Sequence, residues 1–359
     1  MKKKESMEVQ QNSLPAETEM YKAFSGKDKS YDGVFYTAVK TTNIFCRPSC
    51  SAKKPLKKNV QFFATAREAL FAGYRPCKRC KPMDIGNSTP EWVNKLMAIV
   101  DKNPEKKLHD YELREIGIQP EKARRYFQKQ YGMTFHAYCR GRRLGKAFSQ
   151  IRNGSQIDDA VFENGYESHS GFREAFEKTM GFTPGNAVTK NCIVTSLYES
   201  PMGHILLAAN DKGVCLAEFS DRRMLEYQLK VLNKYFKSPL IPGRNMFINQ
   251  IETELDEYFK GNLKNFKTQI QYPGTDFQRK VWQGLMKIPY GTTLSYVELA
   301  QKIGTPKGSR PVGTANGMNR LAIIIPCHRV IKNDGTLGGY GGGLWRKKRL
   351  LELEGVKLD

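Results

Sequence analysis

The chain of 359 residues is longer than one hydrophobic core usually organises, so about two to four domains are expected. Its 58 Lys and Arg residues outnumber 36 Asp and Glu residues, and the formal net charge of +22 makes a polyanion the expected class of partner. No apolar run approaches the length of a membrane span, and no apolar segment follows the N-terminal lysines. Eight cysteines are too sparse for a disulfide scaffold. These three observations together predict a cytoplasmic protein with no membrane contact.

The first twenty residues are rich in Pro, Ser and charged residues and predict a flexible tail. The next segment, to about residue 83, is too small to be stable through core burial alone. Within it Cys46 and Cys50 lie four positions apart, and Cys77 and Cys80 form a Cys-x-x-Cys pair. Four thiolates in this spacing can close a tetrahedral zinc shell, which would also supply folding energy. On spacing alone, a purely structural zinc clamp is the favoured interpretation.

Between residues 90 and 184 the apolar spacing is helical, as in WVNKLMAIV, ARRYFQKQYG and FREAFEKTMG. One pattern occurs twice: a short helix, a turn containing Gly117 or Gly165, and a second amphipathic helix. The second helices carry Arg124, Arg125 and Arg173. This repetition predicts two helix-turn-helix units, in which the second helix enters the major groove of DNA. A helical bundle with basic solvent faces is the alternative.

After Cys192 the sequence alternates as strands do, in CIVTSLYES, GHILLAAN and GVCLAEFS. Helices are predicted from Leu225 to Phe236 and from Phe247 to Phe259. From residue 275 onward helices dominate, and SYVELAQKIG followed by KGSRPVGTANGMN predicts helix, turn and helix. The thiols outside the metal-like spacing and the last module lie in apolar periodic segments and are predicted to be core residues: Cys139, Cys192 and Cys215.

The apolar run LAIIIP, which resembles a strand, ends at Cys327, and His328 follows directly. Because adjacent residues of a strand point to opposite faces, these two side chains could act together only at a turn or a helix start, which Pro326 favours. A reactive thiol needs a neighbouring base or positive charge, and His328 could supply the base. A buried core cysteine beside a surface histidine is the simpler interpretation of the residue types alone.

The strings TTNIFCRPSC and REALFAGYRPCKRC resemble the N-terminal zinc domain of the Ada family across nearly the whole segment. The resemblance implies that the zinc-bound thiolate of Cys46 accepts a methyl group from a methyl phosphotriester in the DNA backbone. Thr42 and Arg75 would lie against DNA, and Lys53 stands where an Arg is common. Methylation would remove one negative charge from the site, so we expect it to strengthen DNA binding and switch on transcription.

The segments QKQYGMTFHAYCRGRRLGKA and DDAVFENGYESHSGFREAFEKTMGFTP resemble the AraC-type regulator domain, the second unit more closely than the first. The first unit, LHDYELREIGIQPEKARRYF, departs from the usual pattern of small residues. Two reading helices from one polypeptide can contact adjacent major-groove segments without dimerisation, so a monomer is expected. The residues expected to contact the groove are Arg124, Arg125, Ser168, His169, Ser170 and Arg173.

The string IPCHRVI, with Asn319 upstream and GGYGGGL downstream, resembles the O6-alkylguanine-DNA alkyltransferase family, which also forms the C-terminal half of Ada proteins. The resemblance covers about residues 192–355. It implies that Cys327 is the alkyl acceptor and that it is activated through His328, a bound water and Glu354. Asn319 would shape the turn. Because a thioether is not regenerated, each molecule should react once.

The same resemblance assigns the residues around the damaged base. Tyr296 would protonate the departing guanine, and Arg310 would take the place of the extruded nucleotide. Tyr340 and Gly341 would line the pocket for the flipped base, although Gly341 stands where other members have Ser. The helix PVGTANGM carries small residues that permit close approach in the minor groove, although its glycines could equally serve as helix punctuation.

The three resemblances occur in one order along the chain, which predicts a DNA repair protein and transcriptional activator of the adaptive response. O6-methylguanine and O4-methylthymine are the expected base substrates, zinc the cofactor, and double-stranded DNA and RNA polymerase the partners. A regulator whose last domain no longer transfers alkyl groups, and a cysteine hydrolase using Cys327 and His328, are the alternatives. Intact Cys327, His328, Asn319 and Glu354 argue against the first, and a hydrolase would need an oxyanion hole that the sequence does not reveal.

The predicted fold class is multidomain α+β. It comprises a small zinc-stabilised α+β domain, an all-α double helix-turn-helix domain, and an α/β plus helical alkyltransferase module. The expected segments are a flexible tail at 1–20, the zinc domain at 21–86, the regulator domain at 90–188, the N-terminal α/β subdomain of the alkyltransferase at 192–272 and its catalytic domain at 273–359.

Overall fold

The computed structural model describes residues 14–82, 90–131, 133–222 and 224–358, and it divides into two compact units at residue 87. The predicted tail is wrong in its last residues, because helix α1 (Glu17–Ser25) begins there and buries Met20. Residues 1–13, and most of the polar break predicted at 84–90, lie outside the described residues. No helix in the described part of the chain is long and apolar enough to cross a membrane.

The first unit is a small α+β fold. Its four-stranded sheet has the order β3-β1-β2-β4, formed by β1 (Tyr36–Val39), β2 (Ile44–Cys46), β3 (Val60–Phe63) and β4 (Arg75–Pro76). Helix α2 (Ala66–Phe71) is capped by Thr65, whose hydroxyl accepts a hydrogen bond from the Glu68 amide. Two small clusters hold many of the buried apolar residues, and the four cysteines make up most of one of them. Core burial alone is therefore weak here.

The second unit opens with six helices: α3 (Glu91–Lys102), α4 (Asp110–Glu115), α5 (Pro120–Tyr131), α6 (Phe135–Arg152), α7 (Ile157–Phe162) and α8 (His169–Met180). The pairs α4–α5 and α7–α8 are the two helix-turn-helix units, and α6 joins them. Gly117 and Gly165 lie in the two turns with φ of +79° and +70°, a backbone conformation that favours glycine. The predicted double helix-turn-helix arrangement is confirmed.

An α/β subdomain follows. Its sheet has the order β7-β6-β5-β8, formed by β5 (Ile193–Ser200), β6 (Gly203–Ala209), β7 (Val214–Phe219) and β8 (Leu240–Pro242). Strands β5, β6 and β7 pair antiparallel, whereas β8 pairs parallel to β5. Helices α9 (Leu225–Phe236) and α10 (Met246–Phe259) complete the subdomain and agree closely with the predicted helices.

The last part is mainly helical, with α11 (Asp276–Met286), α12 (Tyr296–Lys302), α13 (Ser309–Gly317) and α14 (Leu344–Leu353). Two short strands, β9 (Leu294–Ser295) and β10 (Val330–Ile331), pair in parallel. The Trp282 indole donates to the Ala315 carbonyl at 2.9 Å, which fixes α13 on α11. This contact orients the helix that the sequence predicts to lie on DNA.

Helix α6 packs directly on strand β8. A Cβ atom on Gly141 would lie 2.8 Å from Pro242 Cδ, and one on Gly145 would lie 2.9 Å from Ile241 Cδ1. Glycine at both positions therefore permits close helix-to-strand contact. One hydrophobic core is shared by the C-terminal part of α6, the second helix-turn-helix unit and the α/β subdomain. The first helix-turn-helix unit has a separate core. The predicted boundary near residue 190 thus does not separate two cores.

Candidate functional sites

The first candidate site is the cysteine cluster of the first unit. Cys46 ends β2, Cys50 follows four residues later, and Cys77 and Cys80 lie after β4. All four side chains are buried, and their sulfur atoms lie within 4.8 Å of one another. A hydrogen bond from Cys46 lowers the pKa of the Cys80 thiol to about 5. Four convergent soft donors fit a tetrahedral metal ion.

Two residues that the sequence analysis missed hold this cluster in place. The Arg47 guanidinium donates to the Cys80 carbonyl at 2.7 Å through Nε and lies 3.7 Å from the Asp32 carboxylate. Asp32 in turn accepts hydrogen bonds from the amide and hydroxyl of Ser49, at 2.9 Å and 2.5 Å. These contacts fix the chain between Cys46 and Cys50. Neither residue type nor spacing reveals such support, because Asp32 is distant in sequence from the cysteines.

Thr42 and Arg75, both predicted to contact DNA, are exposed on adjoining segments of the same sheet. Thr42 lies in the turn before β2. Asn43 follows Thr42, and its carbonyl accepts a hydrogen bond from the Arg75 amide at 2.9 Å. Arg75 also pairs with Ile44 across the parallel β2–β4 ladder. Thr42 and Arg75 therefore both lie at the end of the sheet where β2 begins, and Cys46 lies at the opposite end of β2. Lys53 is also exposed.

In the second helix-turn-helix unit, Ser168 caps α8 by accepting a hydrogen bond from the Gly171 amide at 3.2 Å. The four predicted groove residues of this helix are all exposed around its N-terminal turn: Ser168, His169, Ser170 and Arg173. In the first unit Arg124 and Arg125 are exposed on α5, and Arg124 lies 4.0 Å from Asp110. The roles of these six residues in DNA binding stay predictions.

The second candidate site surrounds Cys327. The expectation of a strand through LAIIIP is wrong: Leu321 forms a single bridge to Ala217, residues 322–325 form a turn, and Ile323 has φ of +73°. The chain then enters a short 3-10 helix, Cys327–Arg329, with Pro326 at its start. The local geometry is therefore the turn that cooperation between Cys327 and His328 requires.

Asn319 holds this turn together. Its amide nitrogen donates to the Cys327 sulfur at 3.1 Å and to the Ile325 carbonyl at 2.9 Å, and its side-chain oxygen accepts from the Leu321 amide at 3.0 Å. One side chain thus satisfies backbone groups on both sides of the buried turn and also contacts the sulfur. This geometry explains why the chain bends where its apolar sequence predicts a strand.

His328 and Glu354 are completely buried side by side, with Nε2 and Oε1 separated by 2.8 Å. The same carboxylate accepts hydrogen bonds from Arg329, at 2.8 Å and 3.0 Å, and from the Tyr258 hydroxyl at 2.8 Å. The other imidazole nitrogen, Nδ1, is buried and has no hydrogen-bond partner among the described residues. Glu354 therefore fixes the ring and leaves one nitrogen available as a base.

The pKa shifts give this site a neutral resting state. Burial raises the pKa of the Cys327 thiol, although the hydrogen bond from Asn319 opposes the shift. Burial also lowers the pKa of His328, against the effect of Glu354. For Glu354, burial acts to raise the pKa, but hydrogen bonds from His328 and Arg329 outweigh it and lower the value to about 2. At neutral pH the thiol and imidazole are uncharged and the carboxylate is ionised.

The other predicted residues lie around this centre. Tyr296 begins α12. Its ring packs against the backbone at Gly313 and Gly338, where an added Cβ atom would lie 3.7 Å and 3.3 Å from the ring. Tyr340 is half-buried, and its hydroxyl has no partner among the described residues. Arg310 is exposed in the first turn of α13. The sequence analysis missed Lys347, whose buried ammonium donates to the carbonyls of Val330, Leu337 and Gly339.

The four parts of the chain match known families in order. Residues 19–83 match the metal binding domain of Ada, residues 113–189 a helix-turn-helix domain, residues 193–272 the ribonuclease-like domain of 6-O-methylguanine DNA methyltransferase, and residues 276–356 the DNA binding domain of that methyltransferase. The chain is 32% identical over 334 residues to the bifunctional transcriptional activator/DNA repair enzyme Ada of Escherichia coli strain K12, covering 91% of this chain and 93% of that protein. The chain belongs to the Ada family. The regulatory protein ada of Salmonella typhimurium strain LT2 is similar over 97% of this chain and 99% of its own length, at 33% identity.

Among solved structures, the Mycobacterium tuberculosis OGT in complex with DNA is 38% identical, covers 45% of this chain and 91% of that one, and gives a TM-score of 0.39. The Ada-family chain is a methylated-DNA–protein-cysteine methyltransferase joined to a metal-binding domain and an AraC-type regulator domain. The predicted family, fold class and enzyme class are therefore confirmed.

Proposed function

We propose that this Ada-family chain repairs DNA by moving the alkyl group of O6-methylguanine, and of O4-methylthymine, onto the sulfur of Cys327. The single observation that carries the proposal is the buried turn in which the Cys327 sulfur accepts a hydrogen bond from Asn319, directly before the His328–Glu354 pair. A thiol held beside an oriented, neutral imidazole can give up its proton when substrate arrives. We assign Cys327 as acceptor and His328 as base.

The transfer balances as one displacement. The thiol proton passes through a bound water to Nδ1 of His328, the sulfur attacks the methyl carbon, the S–C bond forms and the C–O6 bond breaks. The electron pair of that bond goes to guanine, which takes a proton from the Tyr296 hydroxyl, and the protonated imidazole supplies the balancing proton. Burial raises the pKa of Tyr296, so its hydroxyl stays protonated until the leaving group develops charge. The thioether product makes the reaction a single turnover.

The substrate methyl lies inside a stacked duplex, so the nucleotide must leave the stack before it can reach Cys327. We assign the pocket to Tyr340, Gly341 and the neighbouring glycine loop, because these residues lie beside the acceptor turn. Arg310, exposed at the start of α13, takes the place of the extruded nucleotide. Small residues along α13 would allow this helix to approach the minor groove closely.

We propose a second transfer in the metal-binding domain, from a methyl phosphotriester to the sulfur of Cys46. The support is the buried four-cysteine cluster and the exposed Thr42 and Arg75 nearby. Zinc is the ion that this donor set fits best, and it would keep the thiolates deprotonated at neutral pH. The sulfur of Cys46 displaces the phosphate diester, which leaves as an anion, and the cluster loses one negative charge.

That loss of charge would connect repair to transcription. Reduced repulsion from DNA phosphates strengthens binding, and the two helix-turn-helix units then hold the promoter. We propose that Arg124, Arg125, Ser168, His169, Ser170 and Arg173 contact this DNA. We also propose that one chain binds as a monomer and that RNA polymerase is the partner it recruits.

The test is the mass of the intact protein and of each cysteine peptide after incubation with DNA containing O6-methylguanine and methyl phosphotriesters. One methyl on Cys327 and one on Cys46 is the expected result. If only Cys327 gained mass, the cysteine cluster would be a structural metal clamp. If neither gained mass, the chain would be a regulator without repair chemistry, and repeated turnover without added mass would indicate a hydrolase. A Cys327→Ser variant serves as the matched blank.

A further inference from the structure

The α/β subdomain places a buried ion pair next to the acceptor turn. Glu218 is the penultimate residue of β7 and is completely buried, and Arg222 follows in the next turn with a side chain only 6% exposed. Their side chains form an ion pair, and the Glu218 carboxylate also accepts a hydrogen bond from the Phe219 amide at 3.0 Å. Because removing two charges from water is costly, this pair needs further polar contacts to be stable.

Arg222 makes those contacts on the acceptor turn itself. Its guanidinium donates to the Asn319 carbonyl at 2.9 Å and to the Gly317 carbonyl at the end of α13. The Asn319 side chain in turn holds the Cys327 sulfur at 3.1 Å. A single residue therefore connects Arg222 to the acceptor sulfur, and the same guanidinium also fixes the end of the helix predicted to lie on DNA.

The guanidinium also lies against the pocket loop. A Cβ atom on Gly341 would approach the Arg222 Cζ, Nη2 and Nε atoms to 2.6, 2.7 and 2.8 Å. Gly341 does not have a positive φ, so its backbone would accept a side chain, and it is the fixed guanidinium that excludes one. The absence of a side chain at Gly341 is thus what makes room for the Arg222 guanidinium.

We propose that Arg222, held in place by Glu218, is a positioning residue for alkyl transfer, which joins the Asn319 turn to the pocket loop at Gly341. The proposal rests on Cys327 being the alkyl acceptor. It gives the α/β subdomain a direct part in the reaction, because its β7 turn sets the distance between the acceptor and the pocket wall. Arg suits this place because its planar, bidentate donors hold two carbonyls and a carboxylate at once.

The charges of the pair act on Cys327 in opposite directions. Glu218 raises the pKa of the thiol, whereas Arg222 and Lys347 lower it. Among the described residues, the phenols of Tyr296 and Tyr340 and the adjacent imidazole of His328 also lie around the thiol, and the charge of Arg346 acts on Glu218 and Tyr340. Removing Arg222 should therefore raise the pH midpoint of Cys327 reactivity, and removing Glu218 should lower it. General damage to the fold would move both variants in the same direction.

The first experiment is single-turnover methyl transfer from an O6-methylguanine duplex, with the DNA dissociation constant measured separately. Arg222→Ala and Gly341→Ala should each slow transfer about tenfold or more, and the double variant should be no slower than Arg222→Ala, because both changes break one contact. Arg222→Lys should retain part of the rate. Arg244→Ala, which removes a more exposed Arg–Glu pair in the same subdomain, is the matched control.

The proposal is overturned if Arg222→Ala transfers the methyl group at the wild-type rate. It is also overturned if the double variant of Arg222→Ala and Gly341→Ala slows transfer by the product of the two single effects. If Arg222→Ala does not fold, Arg222→Lys and Gly341→Ala decide together: slower transfer by both at an unchanged DNA dissociation constant supports the proposal, and transfer at the wild-type rate by either one overturns it. The second experiment measures carbamidomethylation of Cys327 against pH. Midpoints shifted upward in Arg222→Ala and downward in Glu218→Gln support the proposal, and shifts in one direction reject it. Failure of the wild-type chain to gain a methyl would instead reject the acceptor assignment.

Discussion

His328 and Glu354 lie 2.8 Å apart, and neither side chain is exposed to solvent. The carboxylate holds Nε2 of the imidazole, so that Nδ1 remains to take a proton. Glu354 lies in the turn after α14, 26 residues beyond His328. Its carboxylate also accepts hydrogen bonds from Arg329 and from the Tyr258 hydroxyl. A single carboxylate therefore links three segments of the chain, and its loss should affect both reaction and stability.

Glu354→Gln should slow methyl transfer to Cys327 by about 100-fold, because an amide no longer stabilises the charged imidazole or fixes its tautomer. The same change should destabilise the fold by about 3 kcal/mol, since it leaves Arg329 buried without its carboxylate. Single-turnover transfer and urea unfolding at pH 7 measure the two effects. An unchanged transfer rate in a folded variant would remove Glu354 from the mechanism.

The depressed pKa of Glu354 also predicts how stability depends on pH. The pKa lies at about 2 in the folded chain against an ordinary value of 4.5. A depressed carboxyl pKa contributes stability that is complete above the unfolded value and is lost as pH falls through the folded value. The stability difference between wild type and Glu354→Gln should therefore shrink between pH 4.5 and 2. A difference that stays constant in urea titrations across this window would contradict the assignment.

The rate of transfer should fall when His328 becomes protonated. Burial places the pKa of this imidazole below its ordinary 6.5. The base is therefore neutral throughout the neutral range, and the rate constant should be flat there and decline only at lower pH. Single-turnover rates across the acid range, corrected for DNA binding at each pH, provide the measurement. A decline that begins above pH 6.5 would show that another group controls the rate.

Removing metal should unfold the first unit and spare the second. The four cysteines form most of one of the two small clusters in that unit, so little apolar burial remains to hold it. We expect one zinc ion for each chain by elemental analysis, and loss of structure in residues 14–82 on chelation, measured by hydrogen exchange of peptides. Methyl transfer to Cys327 should continue at its usual rate. Protection in residues 14–82 that survives chelation would reject a structural role for the ion.

The sequence predicted those features that residue spacing controls. The Cys-x-x-Cys pair, the helical periodicities and the strands β5 to β7 each need only local chemistry, and all of them are present, although every residue of β7 is buried and not every second one. The strand through LAIIIP failed because the turn there depends on Asn319, whose amide competes for the backbone groups that a strand would use. Tertiary hydrogen bonding therefore outweighed a strong apolar β pattern.

Residues joined only by the fold could not be predicted. Arg222 and Asn319 are 97 positions apart, and no spacing indicates that the guanidinium of one would bind the carbonyl of the other. At Gly341 the family resemblance indicates a difference, because other members have serine there, but the sequence gives no physical reason for the glycine. The reason lies in the position of Arg222, which only the packing of the α/β subdomain against the pocket loop supplies.

The contact between α6 and β8 predicts that the second helix-turn-helix unit and the alkyltransferase module unfold together. Gly145→Val would place a branched side chain against Ile241, where even a Cβ atom has only 2.9 Å, and should cost about 1 to 3 kcal/mol through overpacking. In the variant these two parts should unfold in two steps, whereas in the wild type they unfold in one, because overpacking disrupts the core that they share at this contact. Calorimetry of the full chain is the measurement. Gly185→Ala, with no atom within 4 Å of the added Cβ, should leave the transition unchanged.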